Sequence, residues 1–291
     1  MRFEDFARAH GVIVGDLYAG DRIRRCATVE HERSKNGAYY WDGKRGWVMA
    51  WDGDGRVHWF DAPEQPWTDA EKREWAAQRR AAAAKKEAGN AMAARSAAEL
   101  LKGCQLKEHG YLIRKGLREV QGFVHTNGSL VVPMRDARTN ALLGVQSITW
   151  DEDAMQWVKK MQPGMRAKGA VLRLGQERAP LTILCEGYAT GLSLLAAVRQ
   201  MRLAASVVVC FSDSNLVHVA EQLAGRVVVF ADNDKSGAGL RAAEATGLPH
   251  CMSPQVGEDA NDLHVRAGLM AVCGLLLNLN REAARHAVST A

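Results

Sequence analysis

The sequence lacks the cysteine spacing that a structural zinc site requires. It contains six cysteines in 291 residues, and none of them forms a Cys-x-x-Cys pair with another. Zinc ribbons and fingers need such closely spaced thiolate ligands, so we expect no zinc. Cys185 and Cys210 lie inside apolar runs. These positions are typical of reduced thiols in a protein core and argue against a disulfide framework.

The sequence also lacks a long apolar run and a nucleotide-binding P-loop. No stretch approaches the ~20 apolar residues of a transmembrane helix, and the start, MRFEDFARAH, has no apolar signal-peptide core. The pattern Gly-x-x-x-x-Gly-Lys-Ser/Thr is absent, so we expect any helicase that works with this protein to be a separate chain. We therefore expect a cytoplasmic protein with no membrane partner.

What the sequence does contain is enough apolar material for a core and an uneven distribution of positive charge. The apolar fraction is 47% and the formal net charge is +5. The fraction indicates a globular protein. Clustering of the basic residues favours a polyanionic partner more than the net charge does.

Residues 1–64 predict a small β-rich module. They are rich in Gly, Trp and Tyr, and short alternating segments such as GWVMAWD are separated by DGK and DGDG turns. Aromatic residues among arginines and lysines suit base stacking and phosphate contact, although they can equally form the core of a tiny sheet. The aromatic residues concerned are Tyr39, Tyr40, Trp41, Trp47, Trp51 and Trp59.

Residues 65–101 predict a long, charged helix. The composition changes to Ala, Arg, Lys and Glu without an internal proline after residue 66. Because its apolar face is mostly alanine, we interpret it as a solvated tether between two modules. The Arg-Arg and Lys-Lys pairs are either part of that solvated face or a non-specific phosphate contact.

Residues 102–175 predict a mixed α+β subdomain with a basic surface. Turns alternate with strand-like segments, and the strands carry alternating basic residues. Such a density of positive charge suits a surface that grips nucleic acid or nucleotide phosphates. The basic residues are Arg135, Arg138, Lys159, Lys160, Arg166, Lys168 and Arg173.

Residues 176–291 predict a parallel sheet covered by helices on both faces. The apolar runs LTILCE, SVVVCF and RVVVFAD are each followed by a helix-like segment. Continuous Val, Ile and Leu runs are typical of strands buried on both faces.

Acidic residues close the apolar runs of this region. Glu186 ends one run, Asp232 and Asp234 follow another, and Asp262 lies in the later segment VGEDANDLH. Ligands bind at the carboxyl ends of parallel strands, and carboxylate oxygens there suit Mg²⁺ or Mn²⁺. A cation would also offset the repulsion between the carboxylates. Lys235 could neutralise phosphate charge, and Gly239 could let the backbone approach a phosphate.

Other interpretations of the acidic residues stay open at this point. A lone Asp-x-Asp is often a turn or a helix cap. Phospho-receivers of flavodoxin type and phosphatases of the haloacid-dehalogenase type also place aspartate at strand ends.

Four segments resemble successive motifs of the Toprim domain of phage and plasmid primases: ILCEGYATGLSL, FSDSNLVHVA, VVVFADNDKSGAGLRAA and GEDANDLH. The resemblance implies that Glu186, Asp232, Asp234 and Asp262 surround the catalytic metal ions. It also matches Asn215 to the asparagine that closes the second Toprim strand in such primases, although Ser212-Asp213-Ser214 precedes it where the family pattern has a small residue and glycine.

The resemblance extends upstream to the basic subdomain of these primases, through HGYLIRKGL, SLVVPMRDARTNALLGVQSI and KKMQPGMRAKGAVLRLG. We therefore predict an α/β fold: a Toprim parallel-sheet domain preceded by the basic subdomain, the long helix and the small β-rich module. The residues predicted to contact template or nucleotide are His109, Arg114, Lys115, Arg135, Lys160, Arg166, Lys168, Asn215 and Lys235.

The function implied by the resemblance is that of a DNA primase. Such an enzyme makes short RNA primers on single-stranded DNA from nucleoside triphosphates, with Mg²⁺ or Mn²⁺, in phage or plasmid replication. Glu186 is then a metal ligand or general base, and Asp232 and Asp234 are metal ligands. The alternatives are a Toprim nuclease and a non-catalytic nucleic-acid-binding protein. A topoisomerase ranks lower because no strand-passing tyrosine can be assigned.

Overall fold

The computed structural model describes residues 1–20, 22–60 and 69–289. Residues 61–68, which contain the expected boundary between the N-terminal module and the long helix, lie outside the described residues. The chain divides into two compact units, Met1–Gln78 and Arg79–Ala291.

Besides the first residues of the long helix, the described part of the first unit contains one short helix and an antiparallel sheet with the strand order β1-β2-β3-β4-β5. Its core is formed by Phe3, Val12, Tyr39, Val48 and Phe60. The predicted β-rich module is therefore confirmed. Its elements are α1 (Phe3–Ala9), β1 (Val12–Ile13), β2 (Arg24–Thr28), β3 (Gly37–Trp41), β4 (Gly46–Ala50) and β5 (His58–Phe60).

The predicted long helix is α2 (Asp69–Lys102), with 34 residues. Most of its described side chains are exposed, as its polar composition requires. Near its end, Ala93 and Ala97 are buried, and Ala97 packs with Val131 and Val145. The small alanine side chains let the end of the helix lie close to the strands that follow.

The second unit is built on a ten-stranded mixed sheet. Strand β11 pairs antiparallel with β8 on one side and with β13 on the other. The basic segment and the α/β segment therefore share one continuous sheet. The strands of the basic segment, with its helix, are β6 (Gln105–Lys107), α3 (Gly110–Arg114), β7 (Gly122–Val124), β8 (Leu130–Asp136), β9 (Leu142–Asp151), β10 (Gln156–Met161) and β11 (Ala170–Gly175).

The α/β segment confirms the predicted parallel arrangement. Strands β13, β12, β14 and β15 lie side by side, and each neighbouring pair is parallel. The elements are β12 (Leu181–Cys185), α4 (Tyr188–Gln200), β13 (Ala205–Val209), α5 (Asp213–Ala220), β14 (Arg226–Ala231), α6 (Ala238–Ala245), β15 (His250–Met252), α7 (Ala260–Ala267) and α8 (Leu269–Ser289).

Helices cover both faces of these parallel strands. Alternate strand residues contribute to two separate cores, one around Ile183, Val207 and Phe230 and the other around Leu184 and Val229. Helices α4, α7 and α8 contact one another, as do α5 and α6. Among the described residues, none of the helices combines the length and apolar content needed to cross a membrane.

Candidate functional site

Strands β12 and β14 bring two of the predicted acidic residues to the same edge of the sheet. The strands are neighbours and parallel, with Leu184 opposite Val229. Glu186 follows the last residue of β12, and Asp232 follows the last residue of β14. Because the carboxyl ends of parallel strands share one edge, both carboxylates lie at this edge.

The carboxyl group of Asp232 is held in an environment that disfavours its ionised form. Burial, followed by the charges of Asp259, Glu186 and Asp213 in that order, raises the pKa of Asp232 to about 8. Its Oδ1 atom is buried and has no hydrogen-bond partner among the described residues. A buried oxygen without a donor, surrounded by other carboxylates, fits a site for a divalent cation.

Glu186 lies among the same group of acids. Burial, followed by the charge of Asp213, a hydrogen bond with Asp213 and the charge of Asp234, raises the pKa of Glu186 to about 7. Lys159 lowers the pKa of both Glu186 and Asp232. For Asp232 its effect is smaller than that of Asp259, Glu186 or Asp213, so the acids outweigh this lysine at the edge.

Two acids of this edge, Asp213 and Asp259, are not among the ligands predicted from the sequence. Asp213 is the first residue of α5, and Asp259 is the N-cap of α7. The sequence signals were the acidic departure at Ser212-Asp213-Ser214 and the first aspartate of GEDANDLH. Both helices begin at the strand-end edge, which brings their first acids toward Asp232.

Asp234 uses its carboxylate within the turn that follows β14. Its Oδ1 accepts hydrogen bonds from the hydroxyl of Ser236 and from the backbone N–H groups of Ser236 (2.8 Å) and Ala238 (3.3 Å), and its Oδ2 accepts one from Gly239 N (2.8 Å). The bond from the Ser236 hydroxyl, followed by those from the backbone, holds the pKa of Asp234 well below its usual range. Asp234 is therefore ionised and fixed, and a role as metal ligand stays a prediction.

Asp262 is also engaged by protein groups. It forms a capping box with Asp259 at the start of α7, and its Oδ1 lies 3.1 Å from Lys115 Nζ. Burial and the charge of Asp259 are the two largest causes of the raised pKa of Asp232, and Asp262 is not among its main causes. Asp259 therefore acts more strongly on the carboxyl group of Asp232 than the predicted ligand Asp262 does.

The distances between the ligand atoms of these acids decide how many of them one metal ion could contact directly. Among the described residues, the one group of three potential ligands with all ligand atoms within 4.8 Å of one another is Glu30, His31 and Asp52, in the N-terminal unit. The strand-end acids are not that compact. Mg²⁺ is commonly held by one or two carboxylates while water and phosphate oxygens complete the octahedron, so Glu186 and Asp232 fit a magnesium site of this open kind.

A cavity of about 430 Å³ lies beside α3 and α7. Asp259 and Asp262 both raise the pKa of Tyr111 in its wall, although burial is the main cause of its rise to about 12. Asp262 lies in the wall of this cavity and forms a capping box with Asp259 at the start of α7, so the cavity adjoins the acidic edge. The wall carries Arg114, Lys115, Lys159 and Arg266 together with Tyr111 and Trp157.

The structure thus brings two predicted basic residues, Arg114 and Lys115, into one cavity with a predicted acid. His109 has a structural role, because its Nδ1 accepts the Tyr111 N–H at 3.1 Å and caps α3. Its Nε2 lies 3.0 Å from Gly128 O, and its ring centre is 5.1 Å from that of Trp157. His109 therefore positions the start of α3 and the Trp157 ring. A contact of His109 with template or nucleotide stays a prediction.

Lys168 and Asn215 line a second cavity, of about 460 Å³, at the start of α5. Asn215 Nδ2 donates to Ala170 O (2.8 Å) and Cys210 O (2.7 Å), and its Oδ1 accepts from Gly169 N (2.7 Å). Both amide hydrogens are therefore used. Asn215 holds the loop of Lys168 against the sheet, and a nucleotide contact by its side chain stays a prediction.

The remaining predicted basic residues lie apart from the two cavities. Arg135 donates to Asn140 O (3.1 Å) and Arg166 to the carboxylate of Asp136, so both brace the β8–β9 turn. Lys160 is exposed on β10, and Lys235 is exposed in the turn after β14. Their contacts with nucleic acid stay predictions.

The raised pKa of Asp232 leads to a prediction about stability. The folded protein retains a proton that the unfolded chain releases, so stability of the metal-free protein falls as the pH rises from about 4 to about 8. Asp232→Asn should remove much of this fall and, at about pH 8 in chelator, raise the melting temperature by roughly 3 °C, or about 1 kcal/mol.

Thermal unfolding of the wild type and Asp232→Asn across this pH range, with chelator and with Mg²⁺, measures the effect. Mg²⁺ should stabilise the wild type more than the variant. Asp153→Asn is a matched control, since Asp153 is exposed in the turn between β9 and β10. Equal pH dependence in all three proteins would contradict the prediction.

One protein-family model matches the part of the chain that contains the acidic edge. Residues 181–269 match the family model described as the Toprim domain. The matched region starts at the first residue of β12 and ends at the first residue of α8, so it includes the whole acidic edge. No curated protein matches the chain. Toprim domains bind Mg²⁺ through acidic residues and occur in enzymes that process nucleic acids, including primases, topoisomerases and nucleases.

Proposed function

We propose that the Toprim domain at residues 181–269 belongs to a DNA primase that makes short RNA primers on single-stranded DNA. The observation that carries the proposal is the acidic pair of Glu186 and Asp232, with raised pKa values, beside a cavity of basic and aromatic residues. Cation-binding carboxylates next to a phosphate-binding surface are the arrangement that nucleotidyl transfer requires.

The reaction forms a bond between the primer 3′ oxygen and the α-phosphorus of a nucleoside triphosphate, and pyrophosphate leaves. Bound Mg²⁺ or Mn²⁺ supplies electrostatic stabilisation to the hydroxyl and phosphate oxygens. Glu186, with a pKa of about 7, suits acceptance of the hydroxyl proton, because a general base is most effective with a pKa near the working pH. Asp232 offers its unpartnered Oδ1 as a cation ligand.

The cavity beside the acidic edge fits a nucleoside triphosphate in size and chemistry. Its four cationic residues outnumber its one acid, Asp262. Three of its wall atoms, Tyr111 Oη, Trp157 Nε1 and Asn261 Oδ1, are buried and have no hydrogen-bond partner within the described ranges. Phosphate oxygens would meet the cations, and the polar groups of a base or sugar would meet these atoms.

In this proposal the basic strands hold the single-stranded template and a helicase comes from a separate chain. We place the enzyme in the replication of phage or plasmid DNA, in the cytoplasm. Lys159 lies close enough to Glu186 and Asp232 to lower the pKa of both. This position is consistent with the proposal, because a lysine there can neutralise triphosphate charge.

Incorporation of labelled nucleoside triphosphates on single-stranded DNA tests the proposal. We expect short RNA products with Mg²⁺ or Mn²⁺ and none with chelator. Metal-dependent cleavage of the DNA without incorporation would overturn the primase assignment in favour of a nuclease. DNA binding that is insensitive to chelator, with neither synthesis nor cleavage, would indicate a non-catalytic protein.

A further inference from the structure

The N-terminal sheet sorts its aromatic residues onto two faces. Tyr39 is opposite Val48, and both belong to the core with Phe3. The next residue, Tyr40, is opposite Trp47, and Trp47 is in turn opposite Trp59. Because successive side chains of a strand point to opposite faces, Tyr40, Trp47 and Trp59 lie on the face away from this core, which we call the outer face.

The three rings of the outer face form a row across β3, β4 and β5. Directly opposite residues in antiparallel strands have Cβ atoms about 5 Å apart, so the row spans roughly 10 Å. Trp59 is 60% exposed, and Tyr40 and Trp47 are half-buried. A large exposed tryptophan beside two further rings is a flat aromatic surface that the core of the unit does not use.

Positive charge predominates on the strands of this surface. None of the described residues of β2 to β5 is acidic. Arg25 is opposite Ala38 and therefore on the outer face, where its guanidinium lies 3.9 Å from the ring centre of Trp51. Lys44 is exposed in the turn between β3 and β4.

The turn also contains an acid, Asp42, which offsets part of this positive charge. The carboxylate of Asp42 accepts the N–H groups of Lys44 (2.7 Å) and Arg45 (2.6 Å). A cavity of about 430 Å³ borders the same turn, with Tyr40, Trp75 and the acid Glu74 in its wall. The outer face therefore ends in a recess large enough for one base.

We propose that the outer face binds single-stranded DNA. Unpaired bases would stack on Trp59 and Trp47, and Arg25 and Lys44 would contact the phosphates. Exposed aromatic rings on a sheet select unpaired bases, since the base faces of a duplex are already stacked. Positive charge beside the rings favours a polyanion over an apolar protein surface. The proposal does not depend on whether the Toprim site builds or cleaves phosphodiesters.

Fluorescence anisotropy of a labelled oligothymidylate, with the full chain in chelator, tests the proposal. Chelator prevents metal-dependent turnover, so binding is measured by itself. We expect Trp59→Ala to raise the Kd about tenfold and Trp47→Ala combined with Trp59→Ala to raise it further. Trp59→Phe keeps a ring and should restore most of the affinity. Circular dichroism and the melting temperature identify a variant that does not fold.

Tyr18→Ala is the matched control. Tyr18 is 53% exposed and also lies under an arginine, Arg24, at 4.5 Å, but Arg24 is opposite Tyr39 and hence on the core-facing side. We expect its Kd to equal that of the wild type. An unchanged Kd in the folded double variant, an equal loss in Tyr18→Ala, or duplex DNA bound as tightly as single-stranded DNA would each overturn the proposal. Absence of primer synthesis alone would leave it standing, so the two proposals fail separately.

Discussion

Asp232→Asn is expected to lower metal-dependent nucleotide incorporation by at least about a hundredfold, which corresponds to ~3 kcal/mol of transition-state stabilisation. Asparagine keeps the shape of the side chain but removes the charge that a cation requires. The buried, unpartnered Oδ1 and the surrounding carboxylates make Asp232 the centre of the acidic edge. Glu186→Gln should have a loss of similar size, since Glu186 is the other strand-end acid and the proposed base.

Single-turnover incorporation at several Mg²⁺ concentrations measures these losses. Asp153→Asn, in the exposed β9–β10 turn, should keep wild-type rates. Full activity of folded Asp232→Asn and Glu186→Gln proteins would remove the proposed catalytic role of the acidic edge.

The same assay distinguishes Asp259 from Asp262. Asp259 acts directly on the pKa of Asp232, whereas Asp262 is bound to Lys115 and to the start of α7. We therefore expect the greater loss from Asp259→Asn. A greater loss from Asp262→Asn would favour the ligand set implied by the family resemblance.

The acidic pair could be located from the sequence because it depends on strands alone. A buried run that ends in an acid and lies parallel to another such run must place both acids at one edge. Glu186 and Asp232 are predicted in this way, and the structure brings them to the same edge. The first acidic residue after a continuous apolar run marks the end of the strand, so the conformation of the loops did not have to be known.

The sequence alone could not show which of the other acids lie close to Glu186 and Asp232. Asp213 and Asp259 reach the edge because α5 and α7 begin there, and the direction of a helix after a loop is set by tertiary packing. Asp234 satisfies the Asp-x-Asp spacing, yet its oxygens accept backbone N–H groups from its own turn. The spacing alone could not separate a metal ligand from such a turn.

The sequence also could not predict how the basic segment and the α/β segment are joined. Alternating basic strands indicate a β-rich segment but not the partners of its strands. The structure joins the basic segment to the parallel strands through β11, which pairs with β8 and β13. Pairing between distant strands depends on the whole core and leaves no local signal in the sequence.

Gly239→Ala is expected to disable the site without changing any of its carboxylates. The sequence pattern suggested that this glycine leaves room for a phosphate. In the structure, a Cβ at Gly239 would lie 2.2 Å from the backbone oxygen of Asp232, and Gly239 N donates to Asp234 Oδ2 at 2.8 Å. The backbone of Asp232 already occupies the space, so an added methyl group must displace α6 or Asp232 itself.

The expected result for Gly239→Ala is at least a tenfold loss of incorporation and a destabilisation of about 1–3 kcal/mol, typical of overpacking in a tight contact. The stabilisation by Mg²⁺ in thermal unfolding should shrink as well, because the Asp232 carboxylate moves with its backbone. Gly274→Ala is the matched control: Gly274 lies in α8 with nothing within 4 Å of a Cβ, so alanine should stabilise that helix by up to about 1 kcal/mol. Wild-type incorporation and an undiminished Mg²⁺ effect in Gly239→Ala would show that the position of Asp232 does not depend on this contact.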